Sequence, residues 1–235
     1  MIELILVCLI IISSVYFSIY LKKLTIPAAI TGGILAAIIY YGVGTIGIAL
    51  LGTFFILGTS ATVWHFNKKK PITKIDKDSG IRNTAQVLAN GGVAAVIALL
   101  AIIDPDNVII YKFLLAASLS SATADTLSSE LGMVYGKKHY DIISFQPGNK
   151  GDDGIISMEG TLIGIIGSCI ISLLFVLFEG WNFFILIVVA GTFGNLVDSF
   201  IGATLERHNY IKNDMVNFLS NASAAIMGLI LSNIS

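Results

Sequence analysis

Charge is what this chain has little of: 12% of its 235 residues are Asp, Glu, Lys or Arg, against 55% hydrophobic. A soluble domain carries about twice that charged share, so a water-soluble fold is excluded. The ten-residue alternation of a membrane β-barrel is also missing, which leaves helices. There are two cysteines, Cys8 and Cys169, each inside an apolar run. They predict buried, reduced thiols and not a disulfide framework. The three histidines, His65, His139 and His208, are scattered, so no zinc spacing exists and a Ser-His-Asp triad has no local support. A formal net charge of −1 says nothing about partners in such a chain, where charge informs only by location. No nucleic acid is expected among them.

What remains is a series of apolar runs of bilayer length, about 20 residues each. They predict an all-α polytopic membrane protein of seven to eight transmembrane helices in one domain, with spans near 2–20, 25–42, 45–66, 84–103, 108–131, 157–178, 183–205 and 214–232. The first run lacks a basic leader and is followed by Lys22 and Lys23, so it reads as a retained span rather than a signal peptide. The eighth has a polar first half, with Asn213, Asn217, Ser220, Asn221 and Ser223.

Loops after spans 1, 3, 5 and 7 carry 13 of the 14 basic residues. The positive-inside rule then puts loops 67–83 and 132–156 in the cytoplasm and both termini outside the cell membrane. Within the first of these, the run 67–74 reads as a loop binding lipid headgroups, or else as a funnel for an anionic substrate.

Polar residues gather in the same halves of their spans. Ser118, Ser121, Asp125 and Ser129 share one helix face, as do Gly191, Asn195, Asp198, Gly202 and Glu206; Arg82, Gln86 and Asn90 form a third stripe, and Asn217 with Asn221 a fourth. Small residues and asparagines also serve simply to pack membrane helices. A carboxylate is not needed for that and is expensive at membrane depth, so Asp125 and Asp198 point to function. Four such stripes can enclose a wet pocket.

Loop 146–157, QPGNKGDDGIIS, has glycines that let backbone N–H groups approach an anion, and Lys150 to neutralise it. It reads either as a flexible connector or as a polyphosphate cradle. Ser157 is placed to cap the next helix, with Glu159 in its first turn. Carboxylates beside a lysine and glycine-rich backbone fit Mg²⁺ and polyphosphate, since Mg²⁺ takes one or two carboxylates plus phosphate oxygens and water.

Several pieces resemble a known family. Arg82-Asn-Thr-Ala-Gln86-Val-Leu-Ala-Asn90-Gly, Ala124-Asp125-Thr-Leu-Ser-Ser129-Glu130-Leu-Gly132, Pro147-Gly148 through Ser157 to Gly160-Thr161, Gly194-Asn195 with Asp198-Ser199 and Gly202-Ala203, and 217–223 are similar to the membrane phytyl-phosphate kinases of vitamin E salvage, long catalogued as a domain of unknown function. The stretch 157–161 also resembles the Ser-x-Glu-Gly-Thr element of CTP-using dolichol and phytol kinases. The loop 147–154 is longer and more acidic than that family's compact Pro-Gly loop.

The resemblance implies an isoprenoid monophosphate kinase that makes the prenyl diphosphate from CTP or another nucleoside triphosphate. Asp125 and Asp198, with Glu130, would hold Mg²⁺. Lys150, Arg82 and the loop around Pro147, Gly148 and Gly151 would stabilise charge, and Gln86, Asn90, Ser129, Ser157, Glu159, Thr161, Asn195, Ser199, Gly202, Asn217 and Asn221 would line the substrate sites. The expected partners are the prenyl phosphate, the nucleotide and membrane lipid. Two alternatives stay open: a lipid cytidylyltransferase, and an ion-coupled transporter or flippase using the two aspartates.

Overall fold

The computed structural model describes residues 2–73 and 80–233; Lys74 and Lys77 of loop 67–83 lie outside the described residues. Helices α1 (Ile2–Tyr20), α2 (Ile26–Val43) and α3 (Thr45–Val63) are followed by a short α4 (Phe66–Thr73), then by α5 (Thr84–Ile103) and a long α6 (Val108–Tyr135). A two-stranded hairpin, β1 (Tyr140–Asp141) and β2 (Ile155–Ile156), precedes α7 (Met158–Glu179), α8 (Phe184–Ile201) and α9 (Asn213–Ser232). Eight of these helices are long and apolar enough to cross a membrane.

The expected spans are recovered with shifted ends. Helix α3 stops at Val63 rather than 66 and turns through Trp64 and His65 into α4, in what reads in sequence as plain loop. Helix α6 runs on to Tyr135 rather than 131. The hairpin is likewise new, because strands of two residues each are too short to show as an alternation.

Helix α6 is the axis: α3, α5, α7, α8 and α9 all pack on it, whereas α1 packs chiefly on α2. Its middle, from Phe113 to Ala124, is buried on every side and is mostly Ala and Ser. Small side chains let neighbouring backbones come close, which is the main source of helix affinity once apolar contact with lipid offers no advantage. Larger residues fill the layer above, with Phe113, Leu115, Leu119, Ile171, Phe175 and Ile187 fully buried.

Local chemistry sets the ends. Thr25 caps α2, and Asn83 forms a capping box with Gln86 at the start of α5. Just before that box the chain is tied to the α1–α2 turn, where Arg82 N–H donates to the Lys23 carbonyl at 3.0 Å and Thr25 N–H to the Arg82 carbonyl at 3.1 Å. At the opposite end of the bundle, Lys112 and Glu179 pair at 2.6 Å across α6 and α7.

Candidate functional site

At the basic end of the bundle a cavity of about 360 Å³ opens between α6, α7 and α8, roofed by residues 150–156. Asp125 enters it from α6 and Asp198 from α8, so the two carboxyls line one cavity. The Ser220 hydroxyl on α9 donates to Asp198 Oδ2 at 3.0 Å, and the Ser128 hydroxyl on α6 donates to Asn195 Oδ1 on α8 at 3.0 Å. The three helices are thus cross-linked around the pair. The predicted Ser129, Lys150, Gly151, Ser157, Thr161, Asn195, Ser199 and Gly202 line the same cavity.

Close packing on one side makes the space. Ser157 accepts the Gly160 N–H at 3.1 Å and starts α7. Gly160 then lies against α6 so closely that a Cβ there would stand 2.8 Å from the Ser128 carbonyl oxygen. The roof is fixed from the other side. Gly154, at φ +73°, leaves no room for a side chain before Ala203. Helix α8 ends at that point in a π-helical turn, Gly202–Glu206, with Arg207 N–H reaching the Gly202 carbonyl at 3.0 Å. The turn carries Arg207 over the loop, where it donates to Asp141 Oδ2 at 2.6 Å and to the Asp153 carbonyl. The backbone N–H of Ser144, and after it Arg207, hold the Asp141 carboxyl well below the usual carboxylate range. Burial pushes the Asp153 carboxyl up.

The lining is acidic. Asp125, Asp152, Asp153, Asp198 and Glu206 face a single lysine, Lys150. An anion enters such a wall only with cations, and the carboxylate and hydroxyl oxygens that line it suit a hard divalent cation. Among the described residues no three His, Cys, Asp or Glu converge as a ready-made cage. The aspartate pair fits Mg²⁺, which keeps water and phosphate oxygens in its shell.

Other predicted residues lie elsewhere. Glu130 does not join the two aspartates; it pairs at 2.5 Å with Lys69 of α4, which also donates to the Ala61 and Thr62 carbonyls at the end of α3. Lys69, expected at the lipid headgroups, is 3% exposed. Pro147 and Gly148 face an outer cleft on the far side of the loop, with Asp141 and Arg207. Glu159 accepts the Lys137 N–H at 3.3 Å. Asn217 and Asn221 are buried, and the Asn221 amide donates to the Ala89 carbonyl of α5 at 3.3 Å. His139 was not foreseen: its Nε2 is buried in the cavity wall without a partner among the described residues.

Arg82, Gln86 and Asn90 border a second cavity of about 280 Å³, enclosed by α1, α2, α3 and α5 and otherwise almost wholly apolar. The Arg82 guanidinium stands 5.6 Å from the centre of the Phe54 ring. Burial pushes its pKa down from the ordinary arginine value, with Glu130 acting in the opposite sense.

Eight bilayer-length helices around a carboxylate pair define a multi-pass integral membrane protein with a polar site at one end. The chain belongs to the family described as integral membrane protein DUF92, whose sequence model matches residues 9–225. This is the membrane family that the motifs resemble. An uncharacterized membrane protein of Methanocaldococcus jannaschii is 34% identical over 203 residues, covering 86% of this chain and 83% of its own. Protein VTE6, chloroplastic, of Arabidopsis thaliana is 27% identical over 228 residues, covering 87% and 67%. An uncharacterized membrane protein of Synechocystis is 30% identical over 203 residues, covering 83% and 78%. No solved structure matches the chain.

Proposed function

We propose that the protein phosphorylates an isoprenoid monophosphate, of phytyl or geranylgeranyl type, to the diphosphate, with a nucleoside triphosphate, preferably CTP, as donor. The observation that carries this reading is the Asp125–Asp198 pair in an acid-walled cavity beneath a glycine-rich loop bearing Lys150. The resemblance of the motifs to phytyl-phosphate kinases suggests the substrate class.

In the reaction an oxygen of the lipid phosphate attacks the donor γ-phosphorus, the bond from that phosphorus to the β–γ bridging oxygen breaks, and the nucleoside diphosphate leaves. Asp125 and Asp198 would hold Mg²⁺, which when bound neutralises the donor phosphates. Glu130, committed to Lys69, stands outside that set. Lys150 balances charge from the loop, and the Arg207 contacts keep the loop over the cavity. The acceptor is already ionised, so no strong base is required and catalysis is positioning and electrostatics. In this reading, by the positive-inside rule, the nucleotide would enter from the cytoplasm and both termini would lie outside.

The test is mass-spectrometric analysis of lipid products after incubating purified protein with geranylgeranyl phosphate, Mg²⁺ and, separately, CTP, ATP, GTP and UTP. A diphosphate formed with one donor and lost in Asp125→Asn supports the kinase. Release of pyrophosphate with nucleotide left on the lipid identifies a cytidylyltransferase. Folded protein that makes no product with any donor turns the aspartates into ion-coupling sites of a transporter.

A further inference from the structure

The second cavity has no part in holding the donor, yet its chemistry is specific. Its walls are apolar side chains of α1, α2, α3 and α5, and its charge is one arginine at the basic end. Among the described residues the Arg82 side chain donates no hydrogen bond, so its fork of five N–H groups is unmatched. The Arg82 backbone is bonded on both sides to the α1–α2 turn, which fixes where the side chain starts. Below it two polar atoms are already used: Gln86 Oε1 accepts the Asn83 N–H at 2.9 Å, and Asn90 Nδ2 donates to the Gln86 carbonyl at 2.9 Å.

The space is kept by glycine. A Cβ on Gly52 would meet nothing within 4 Å, and one on Gly32 would meet only Val87 Cγ1, at 3.8 Å. A methyl group would fit at both positions without a clash, and neither position carries one. Arg82 and the helix of the aspartate pair both come close to Gly58 of α3. Around Gly58 of α3, a Cβ would lie 2.8 Å from Arg82 Nη2 and 3.3 Å from the Thr126 methyl, and Thr126 is one residue from Asp125 on α6.

We propose that this cavity holds the apolar tail of the lipid monophosphate, with its phosphate on Arg82. The assignment rests on the acceptor reading given above. A single anion at the end of an apolar chain matches a single guanidinium at the end of an apolar cavity, and arginine meets phosphate with two parallel N–H bonds.

The experiment uses a geranylgeranyl phosphate analogue with a diazirine near the tail end, photolysed with the full-length protein in nanodiscs of phosphatidylcholine and phosphatidylglycerol, and peptide mapping of the adduct. Label should fall on α1, α2 or α3 residues of the cavity and be displaced by geranylgeranyl phosphate in a membrane already rich in anionic phospholipid. Gly52→Leu should weaken displacement by about tenfold, the equivalent of two methylenes kept out, and geranyl phosphate should be affected much less. Arg82→Gln should weaken it with both chain lengths, and Arg82→Lys should restore part of the loss. Nucleotide binding should be unchanged in Gly52→Leu.

Label on α7 or α8, label unaffected by Gly52→Leu in monodisperse protein, or displacement by added phosphatidylglycerol as effective as by the prenyl phosphate would each overturn the assignment. The two readings fail separately. Correct labelling without diphosphate formation sinks the kinase and leaves the lipid site. Diphosphate formation at the parent rate in both Gly52→Leu and Arg82→Gln sinks the site and leaves the kinase.

Discussion

Helices α1 and α6 are opposite extremes of one bundle. Of its bilayer-length window α1 has 11% buried and α6 has 67%. The first shows large apolar side chains to its surroundings; the second is sheathed by neighbours and built from Ala and Ser. A carboxylate at depth needs the polar partners that neighbouring helices provide and lipid cannot, and α6 has such neighbours along its whole middle. The loosely covered half supplies something different, an unfilled apolar space. A tight polar half and a slack apolar half suit a reaction between a nucleotide and a lipid.

The contrast breaks most completely at the aspartates. Asp125→Asn or Asp198→Asn should lower diphosphate formation on the order of 10²–10³-fold, the scale of losing a group aimed at transition-state charge. Thermal unfolding in detergent should move little. An Asn variant with parent activity would remove that residue from the mechanism.

Lys69→Met comes next, since it leaves Glu130 partly buried without its cation. The expected loss is about 3 kcal/mol of stability, the low end for a broken buried pair, because Glu130 is itself partly exposed. The double variant Lys69→Met, Glu130→Leu should recover most of it in the same denaturation experiment.

Glycines test the two halves directly. Gly160→Ala, whose new methyl meets the Ser128 carbonyl, should cost about 1–3 kcal/mol by overpacking. Gly52→Ala, in open space, should change the melting temperature little or raise it. Equal effects at the two sites would erase the distinction between tight and slack halves.

The smallest effect belongs to the loop. Asp141 has its folded pKa depressed, so its contribution is present above the unfolded value, about 3.9, and is lost as pH falls below it. Asp141→Asn should therefore raise proteolytic cutting of loop 140–156 a few-fold at neutral pH, and the parent should approach the variant only in acid. A parent whose cutting rises between pH 8 and 6 would point to another group.

Sequence periodicity located the spans because each needs an apolar run of fixed length. It also found the faces: Asn195, Asp198, Gly202 and Glu206 do share one wall, even though the last turn of that stripe is π-helical. What periodicity lacks is the partner of a face. The stripe of Arg82, Gln86 and Asn90 meets α1, α2 and α3, not the aspartates, and Asn221 meets the Ala89 carbonyl. Lys69 reads as one lysine among several, and only the turn at Trp64 and His65 sends it inward. His139 gives no signal at all, because a lone histidine in a polar loop looks the same whether its ring faces water or a cavity.

The π-helical turn at Gly202–Glu206 has a consequence for the register of the chain beyond it. Such a turn is an α-helix with one residue too many. Turning these five residues into regular α-helix, with none removed, would rotate everything beyond by about 100°. Arg207 would swing off Asp141 and the Asp153 carbonyl, although every residue in contact with the aspartate pair would keep its identity. Register in this turn, and not composition, is what latches the roof, so a change that straightens it into α-helix without removing a residue should be worse tolerated than most substitutions around it.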